Sequence, residues 1–366
     1  MGERLKIAIN TGGGDAPGLN AVIHAATMAA CRRGWEVYGI HTGYTGLLDT
    51  DQITRLTPER VAGIVSLGGT ILGTTNKGDP FAMPVKNAAG ETEVRDVSGR
   101  ILANFKRLGL DVLIAVGGDG SLRMAHRFSE LGIPVVGVPK TIDNDLASTV
   151  ITFGFDTAVS TATEAIDKLH STASAHERVM VVEVMGRYAG WIALNSGISG
   201  SADAILIPEI PFRIDLICDK IMDNELHGKR YGIVVAAEGA KPEGGGMIHK
   251  GKGEEGRQEV LLGGIGEWVA REIQQRTGKD TRSLVLGHLQ RGGSPTTFDR
   301  LLALRFGAAA VRLIAEGKRN VMVASRPPLM AAVPLAEAIE KMKAVPLDSD
   351  SILTARDMGI HFGNED

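Results

Sequence analysis

Short apolar runs alternate with segments of helical period along most of the chain, and this alternation constrains the fold more than any other feature. Runs this short and rich in β-branched residues are typical of buried strands. The predicted strands are 5–10, 36–40, 112–116, 134–138, 179–184, 204–207, 232–236 and 283–286. The predicted helices include 20–33, 157–173, 265–276 and 300–315. Because strands that alternate with helices build parallel βαβ units, we expect an α/β protein.

Length, charge and cysteine usage narrow the class of protein. At 366 residues the chain exceeds one ordinary hydrophobic core, so two domains are expected. The net charge of -3 gives no electrostatic case for binding nucleic acid or an anionic membrane. No apolar run approaches the ~18 residues of a membrane span, and the N-terminus lacks a signal-peptide pattern. The two cysteines both lie in predicted helices, which indicates a reducing compartment, and we expect a cytoplasmic protein.

The segment Pro-Lys-Thr-Ile-Asp-Asn-Asp at 139–145 follows the predicted strand 134–138. It carries an ammonium, a hydroxyl, an amide and two carboxylates within seven residues. In open α/β sheets, ligands bind beyond the carboxyl ends of strands. One Asx residue there would suit a turn or a helix cap. Three Asx residues beside a Lys and a Thr instead favour a site for a metal, a phosphate or a proton transfer.

Two glycine-rich segments, 11–18 and 117–121, each follow a predicted strand and open a helix. Consecutive glycines let backbone N–H groups approach phosphate oxygens, although tight turns also need glycine, and neither segment is a Rossmann fingerprint or a Walker A loop. A carboxylate among such glycines would repel phosphate unless a divalent cation lay between them, so Asp119 is a candidate Mg²⁺ ligand. The alternative is that Asp119 caps a helix beginning near Leu122.

Cationic side chains recur in the second half of the chain, at 176–178, 185–187, 281–282 and 288–293. Single Arg residues are usually solvated surface groups. Several of these motifs flank apolar strands, however, and the guanidinium fork binds phosphate bidentately, so a set of Arg with His suits a sugar phosphate. Glu238, at the end of another apolar run, could accept hydrogen bonds from sugar hydroxyls or be an ordinary carboxylate of a helix or loop.

In their order along the chain, these segments resemble the 6-phosphofructokinase family. The matching motifs are Gly-Gly-Asp-Ala-Pro-Gly at 13–18, Gly-Gly-Thr-Ile-Leu-Gly at 68–73, Gly-Gly-Asp-Gly-Ser at 117–121, Thr-Ile-Asp-Asn-Asp at 141–145, Val-Glu-Val-Met-Gly-Arg at 182–187 and Gly-His-Leu-Gln-Arg-Gly-Gly-Ser-Pro at 287–295. The similarity runs from about Lys6 to about Lys343. The fourth and last motifs together are very specific to that family.

The resemblance implies a fold of two interleaved, Rossmann-like, three-layer α/β domains with mostly parallel sheets and the active site in the cleft between them. Residues 1–154 with 290–341 would form the phosphoryl-donor domain, and residues 155–289 with 342–366 the sugar-phosphate domain. It also implies a homodimer or homotetramer with shared active sites. A neighbouring subunit would supply Arg178 and Arg282 to the 6-phosphate of fructose 6-phosphate.

The resemblance also implies residue roles for transfer of a phosphoryl group from ATP to fructose 6-phosphate. Asp143 would be the general base toward the 1-hydroxyl, Thr141 would contact the transferring group, and Lys140 and Arg187 would neutralise its charge. Asp119 would hold Mg²⁺. The donor-side set is Gly13, Asn76, Lys77, Gly118, Asp119, Gly120 and Ser121. The sugar-side set is Thr141, Asp143, Arg178, Met185, Gly186, Arg187, Glu238, Arg282, His288 and Arg291.

The donor assignment depends on departures from the family pattern. Asn76 and Lys77 stand where ATP-dependent bacterial enzymes carry Arg-Phe, so Lys77 would replace one Arg contact. Lys140 stands where pyrophosphate-dependent relatives also carry Lys, whereas Gly120 is the residue of the ATP-dependent branch. We expect ATP because an Asp at 120 would exclude the α-phosphate, whereas a Lys at 140 is compatible with either donor.

Two further readings compete with this kinase. NAD kinases and some lipid kinases share the Gly-Gly-Asp-Gly signature, but they would not need the motifs at 141–145 and 288–293. A non-catalytic, metabolite-binding homologue would be expected to lose the base or the metal ligand, yet both Asp143 and Asp119 are present.

Overall fold

The fold, taken from a computed structural model, is described for residues 4–76, 78–87, 90–248 and 262–365. The strands are β1 (Lys6–Thr11), β2 (Glu36–Ile40), β3 (Ile53–Leu56), β4 (Met83–Lys86), β5 (Thr92–Arg95), β6 (Val112–Gly117), β7 (Val135–Pro139), β8 (Val179–Val184), β9 (Ala204–Leu206), β10 (Gly232–Ala237), β11 (Thr281–Val285), β12 (Val321–Arg326) and β13 (Leu329–Pro334).

Helices occupy most of the connections between these strands. They are α1 (Leu19–Cys31), α2 (Ser98–Arg107), α3 (Asp119–Glu130), α4 (Phe155–His176), α5 (Trp191–Ser199), α6 (Ile214–Leu226), α7 (Ile265–Thr277), α8 (Thr297–Ala315), α9 (Leu335–Ala338) and α10 (Asp350–Asp357). Within the described ranges, no helix is both long enough and apolar enough to cross a membrane.

The larger sheet has the strand order β13-β12-β7-β6-β1-β2-β3 and is antiparallel only at its two edges. Its central strands are buried on both faces, as expected when helices cover a parallel sheet. Ile7 and Ile9 point toward α1 and α8, whereas Ala8 between them points toward α2 and α3. This sheet and its two helical layers therefore form one three-layer unit.

The smaller sheet has the order β11-β8-β10-β9, and all its pairings are parallel. Val182 and Val184 pack with helices α4 and α5, whereas Val179 and Val181 pack with α6 and α7. This alternation along β8 produces a second three-layer unit with its own core.

The chain passes between the two units more than once. It leaves the larger sheet after β7, enters the smaller unit at α4, and returns to the larger unit with α8. After α9 it crosses again, and α10 packs into the core of the smaller unit through Ile352 and Ala355. The predicted α/β class with interleaved, mostly parallel three-layer units is confirmed.

Several predicted boundaries were wrong by two or more residues. The strand expected at 283–286 occupies Thr281–Val285, because its register is set by pairing with β8 rather than by its own apolar residues. The helix expected near Leu122 begins at Asp119. The helix expected at 157–173 extends over Phe155–His176, where Gly154 and Glu177 at its two ends adopt left-handed conformations.

Candidate active site

Three loops that follow β1, β6 and β7 pack against one another at the carboxyl edge of the larger sheet. The Gly12 N–H donates to the Val116 carbonyl at 2.9 Å, and the Lys140 N–H donates to the Gly117 carbonyl at 2.9 Å. A Cβ atom on Gly12 would lie 2.7 Å from the hydroxyl of Ser121, which leaves no room for a side chain there. The predicted residues Gly13, Gly118 and Ser121 are thus brought together with Lys140.

Lys140 is buried and its ammonium donates a hydrogen bond to the Gly14 carbonyl. The pKa of Lys140 is lowered to about 7, mainly because the ammonium is buried and to a smaller extent because Arg291 repels it. Arg291 lies on the other side of Gly14 and donates to the Asp15 carbonyl at 3.0 Å. The two cations therefore flank the first glycine loop, and a bound phosphoryl group would relieve their mutual repulsion.

Asp143 lies in the loop after β7 with 4% of its surface exposed. Its backbone N–H donates to the Thr141 hydroxyl at 3.0 Å, which fixes the turn. Its Oδ2 lies 4.0 Å from Nε of Arg187, whereas its buried Oδ1 has no hydrogen-bond partner among the described residues. A buried carboxylate oxygen without a partner is costly, and its lone pairs are available to a substrate proton.

The smaller unit contributes the loop after β8. A Cβ atom on Gly186, whose φ is +144°, would lie 2.6 Å from the Ala189 carbonyl, so this close turn requires glycine. The Arg187 N–H donates to Oε1 of Glu238 at 3.2 Å. Burial and the nearby charge of Asp143 raise the pKa of Glu238 to about 7. Asp143, Arg187 and Glu238 thus join the two units at one site.

The two remaining predicted sugar-side residues near this site, Met185 and His288, lie after different strands of the smaller sheet. Met185 is partly buried against the core of the smaller unit, at the same strand end as Arg187. His288 is exposed on the 3-10 helix Gly287–Arg291, which also carries Arg291. The short helix follows β11, so both residues lie beyond a strand end of the smaller sheet.

Asp119 is the first residue of α3, and Gly118 is the N-cap. Its carboxylate accepts from Nε of Arg123 at 2.9 Å and is about half exposed. Gly120 beside it has open space where a Cβ would lie. No cluster of three or more His, Cys, Asp or Glu in the described part of the chain could hold a metal. One carboxylate beside a phosphate cradle nevertheless fits Mg²⁺, which is bound by one or two carboxylates together with substrate phosphates and water.

The predicted donor-side residue Asn76 lies close to the first glycine loop. Asn76 is exposed next to Thr75, whose carbonyl accepts from the Gly13 N–H at 3.0 Å, and Lys77 lies outside the described residues.

Arg178 precedes β8, and Arg282 pairs with Met180 near the start of that strand. Both contact Asp280, at 2.5 and 3.0 Å. Six strand residues span ~20 Å, so one chain does not bring these arginines to its own Arg187.

Sequence reasoning missed two side chains that support the glycine loops. Tyr44 is buried and donates from its hydroxyl to the Ser121 carbonyl at 2.7 Å. Nothing in the local sequence around Tyr44 indicates this contact, because 77 residues separate the pair. Arg123 was recognisable in principle, because it stands four residues after Asp119 on one helix face.

Comparison with known proteins gave consistent results. A family model described as Phosphofructokinase matches residues 6–314. The chain is 50% identical over 363 residues, 99% of each sequence, to a protein from Chloroflexus aggregans named ATP-dependent 6-phosphofructokinase. It is 49% identical over 368 residues, 100% of each sequence, to ATP-dependent 6-phosphofructokinase 1 of Synechocystis sp..

Solved structures show the same fold. The structure of Pichia pastoris phosphofructokinase in the T-state matches with a TM-score of 0.78 and 33% identity over 93% of this chain and 36% of that chain. A pyrophosphate-dependent phosphofructokinase from Marinobacter aquaeolei also has a TM-score of 0.78, at 23% identity over 98% of this chain and 88% of that chain. At that identity the second match supports the fold alone.

Proposed function

The chain belongs to the phosphofructokinase family, and we propose that it transfers the terminal phosphoryl group of ATP to the 1-hydroxyl of fructose 6-phosphate. The products are fructose 1,6-bisphosphate and ADP. One observation carries this proposal: relatives about half identical across nearly the whole chain are named ATP-dependent 6-phosphofructokinase. Pyrophosphate as the donor is not favoured by these relatives.

Asp143 is proposed as the general base. In the transfer, the oxygen of the 1-hydroxyl bonds to phosphorus, the bond from phosphorus to the leaving ADP oxygen breaks, and the hydroxyl proton passes to the Asp143 carboxylate. The support is the position of Asp143 at the junction of the two units, with its Oδ1 lacking a partner among the described residues. The guanidinium of Arg187 lies 4.0 Å from Oδ2 of the same carboxylate.

Charge neutralisation is assigned to the cations around the first glycine loop. Lys140 and Arg187 would stabilise charge on the transferring group while Thr141 contacts it, and Arg291 and His288 would contact the sugar phosphate. Glu238 and the backbone of 185–186 would orient the sugar. The support is that Arg291, Asp143 and Arg187 all act electrostatically on Lys140, and that Arg187 lies 4.0 Å from Asp143.

On the donor side, Gly13, Asn76, Lys77 and the segment 118–121 are proposed to hold ATP. Mg²⁺ is proposed as the cofactor, with Asp119 as its protein ligand. When bound, it neutralises charge on the donor phosphates. Asp119 supports this role because its carboxylate is accessible beside the second glycine loop and is engaged only by Arg123 among the contacts described.

A shared active site in a homo-oligomer is proposed as well. Arg178 and Arg282 lie at the far end of β8 from Arg187, which supports a role for them in the site of another subunit. The domain bounds, 1–154 with 290–341 and 155–289 with 342–366, remain a proposal supported by which residues build each sheet. Cytoplasmic location stays a prediction.

The direct test is a coupled assay for fructose 1,6-bisphosphate with ATP and, separately, with pyrophosphate. Efficient formation with ATP and little with pyrophosphate is expected. Faster formation with pyrophosphate would overturn the donor while leaving the sugar substrate in place. Tight binding of fructose 6-phosphate without any product from either donor would instead indicate a non-catalytic homologue.

A further inference from the structure

The segment 339–345 crosses from the larger to the smaller unit against the loop that carries Asp143. The Lys343 N–H donates to the Asp145 carbonyl at 2.8 Å, and Met342 forms an antiparallel bridge with Leu146. On the other side, the Lys343 carbonyl accepts from the indole N–H of Trp191 at 2.8 Å. The backbone of this segment therefore contacts the larger unit's loop and the first residue of α5 at once.

The side chain of Lys343 turns back onto the same loop. Its ammonium donates to Oδ1 of Asn144 at 2.8 Å and to the carbonyls of Thr149 and Val150 at 3.2 and 2.8 Å. An ammonium has three N–H donors, and all three are used. The ammonium also lies 5.5 Å from the centre of the Trp191 ring, at the outer range of a cation–π contact.

Asn144 needs such support because its backbone is left-handed, with φ of 52°. Its Oδ1 also accepts from the Thr152 N–H at 3.2 Å, so one amide oxygen joins Lys343 to the next part of the loop. Asn144 is the immediate neighbour of Asp143. A shift of its backbone would therefore displace the carboxylate of Asp143 directly.

The position of the ammonium is electrostatically costly. Burial lowers the pKa of Lys343 to about 8, although the charge of Asp145 acts in the opposite direction. Burial, with a further contribution from repulsion by Asp143, raises the pKa of Asp145. The positive charge of the ammonium acts on Asp145, and this attraction offsets part of the repulsion between the two acids.

We infer that Lys343 is a positioning residue for the proposed transfer: it fixes Asn144, and so holds the carboxylate of Asp143 where the sugar hydroxyl meets it. This inference rests on the proposed function. Lys343 need not touch either substrate. Loss of the Lys343 ammonium should therefore lower turnover, while binding of ATP and fructose 6-phosphate is retained.

The test variant is Lys343→Met, which keeps an unbranched stem beside Trp191 and removes the ammonium. We expect kcat to fall about tenfold, corresponding to a modest misplacement of a catalytic group, with both KM values within about twofold of wild type. Lys341→Met is the matched control, because Lys341 is exposed two residues earlier in the same segment. It should behave as wild type.

A second readout does not depend on activity. Hydrogen exchange of the Thr152 amide, which donates to Asn144, should accelerate in Lys343→Met and not in the control. Trp191→Phe retains an aromatic ring and removes only the indole N–H, and it should lower kcat about threefold in the same direction. If Lys343→Met does not fold, the kcat of Trp191→Phe tests the inference in its place.

A folded Lys343→Met enzyme with normal kcat, or with a defect confined to the KM for fructose 6-phosphate, would overturn the inference. So would unchanged exchange at Thr152. If wild type itself forms no fructose 1,6-bisphosphate, the proposed function fails, and the exchange experiment still decides whether Lys343 orders the loop.

Discussion

At the scale of single residues, Gly120 is the position that we propose to discriminate between the two donors. It is the second residue of α3, and a Cβ there would meet open space, so the fold can accept a side chain. An Asp would place a negative charge where the α-phosphate of ATP should lie, and like charges at ~4 Å cost roughly 4 kcal/mol at an effective dielectric near 20.

Gly120→Asp should therefore lower kcat/KM for ATP by much more than for pyrophosphate. Gly99→Asp is a matched control, because Gly99 is also the second residue of a helix with open space around it. The measurement is kcat/KM for both donors in the three proteins. Equal losses for both donors in Gly120→Asp would show that position 120 does not discriminate between them.

Asp119 is the proposed Mg²⁺ ligand. Asp119→Ala should raise the Mg²⁺ concentration needed for half-maximal rate and lower turnover, because the accessible carboxylate would no longer help to hold the cation. Glu130→Ala removes a carboxylate from the opposite end of the same helix and should change neither quantity. A magnesium titration that matches wild type in Asp119→Ala would leave Asp119 with only its contact to Arg123.

At the scale of elements, Asp299 ties α4 to α8. It is fully buried and accepts from the backbone N–H and the hydroxyl of Thr157, both at 2.7 Å. Burial raises the pKa of Asp299 from 3.8 to about 6. The folded protein thus holds this proton up to a higher pH than the unfolded chain does, so stability from this group is present below pH 4 and is lost as pH rises through about 6.

Asp299→Asn removes this titration. The free energy of unfolding of wild type should fall relative to the variant between about pH 4 and pH 7, by up to about 3 kcal/mol at 1.36 kcal/mol for each pKa unit. Asp350→Asn, at the exposed start of α10, should show no such divergence. Parallel pH profiles for wild type and Asp299→Asn would mean that Asp299 stays ionised when buried.

The elements also show how far sequence reasoning reached. The strands β1, β2, β6, β7, β8 and β10 were predicted to within a residue at each end. All of them except β2, in which Glu36 and Tyr38 are only partly buried, are short and largely apolar runs buried on both faces. Strands β12 and β13 were not predicted. Val323 packs into the main core, but β13 is an edge strand whose place depends on pairing across the sheet.

The site was predictable to the extent that it is local. Lys140, Thr141 and Asp143 lie in one short segment, so their proximity follows from the sequence. The contact of Arg187 with Glu238 and the contact of Lys343 with Asn144 could not be predicted from local pattern. They join residues 51 and 199 positions apart. The pairing of β8 with β10 brings the first two residues together, and the crossing of the chain between the two units brings the second two together.

At the scale of the whole molecule, the prediction of an oligomer with shared active sites rests on the distance of Arg178 and Arg282 from Arg187. Arg178→Ala and Arg282→Ala should each weaken fructose 6-phosphate binding if those side chains complete a neighbour's site. Coexpression of Arg178→Ala with Asp143→Asn should then restore about a quarter of the sites in a randomly mixed dimer, because one site of each hybrid combines the two intact halves.

The matched control is coexpression of Arg178→Ala with Arg282→Ala. Both residues belong to the same half of a shared site, so no intact site should form and activity should stay low. A fully active monomer in analytical ultracentrifugation would contradict the shared-site arrangement, and so would rescue by the control pair.

The measurement that tests the central claim most directly is the rate of fructose 1,6-bisphosphate formation from ATP by wild type and by Asp143→Asn, with fructose 6-phosphate binding measured on both. Wild type should form the product. Asp143→Asn should retain its fold and sugar-phosphate affinity but turn over ~10²–10⁴ times more slowly, which is the usual contribution of a positioned general base. Near-normal turnover in Asp143→Asn would rule out Asp143 as the base, and no product from wild type would contradict the kinase assignment itself.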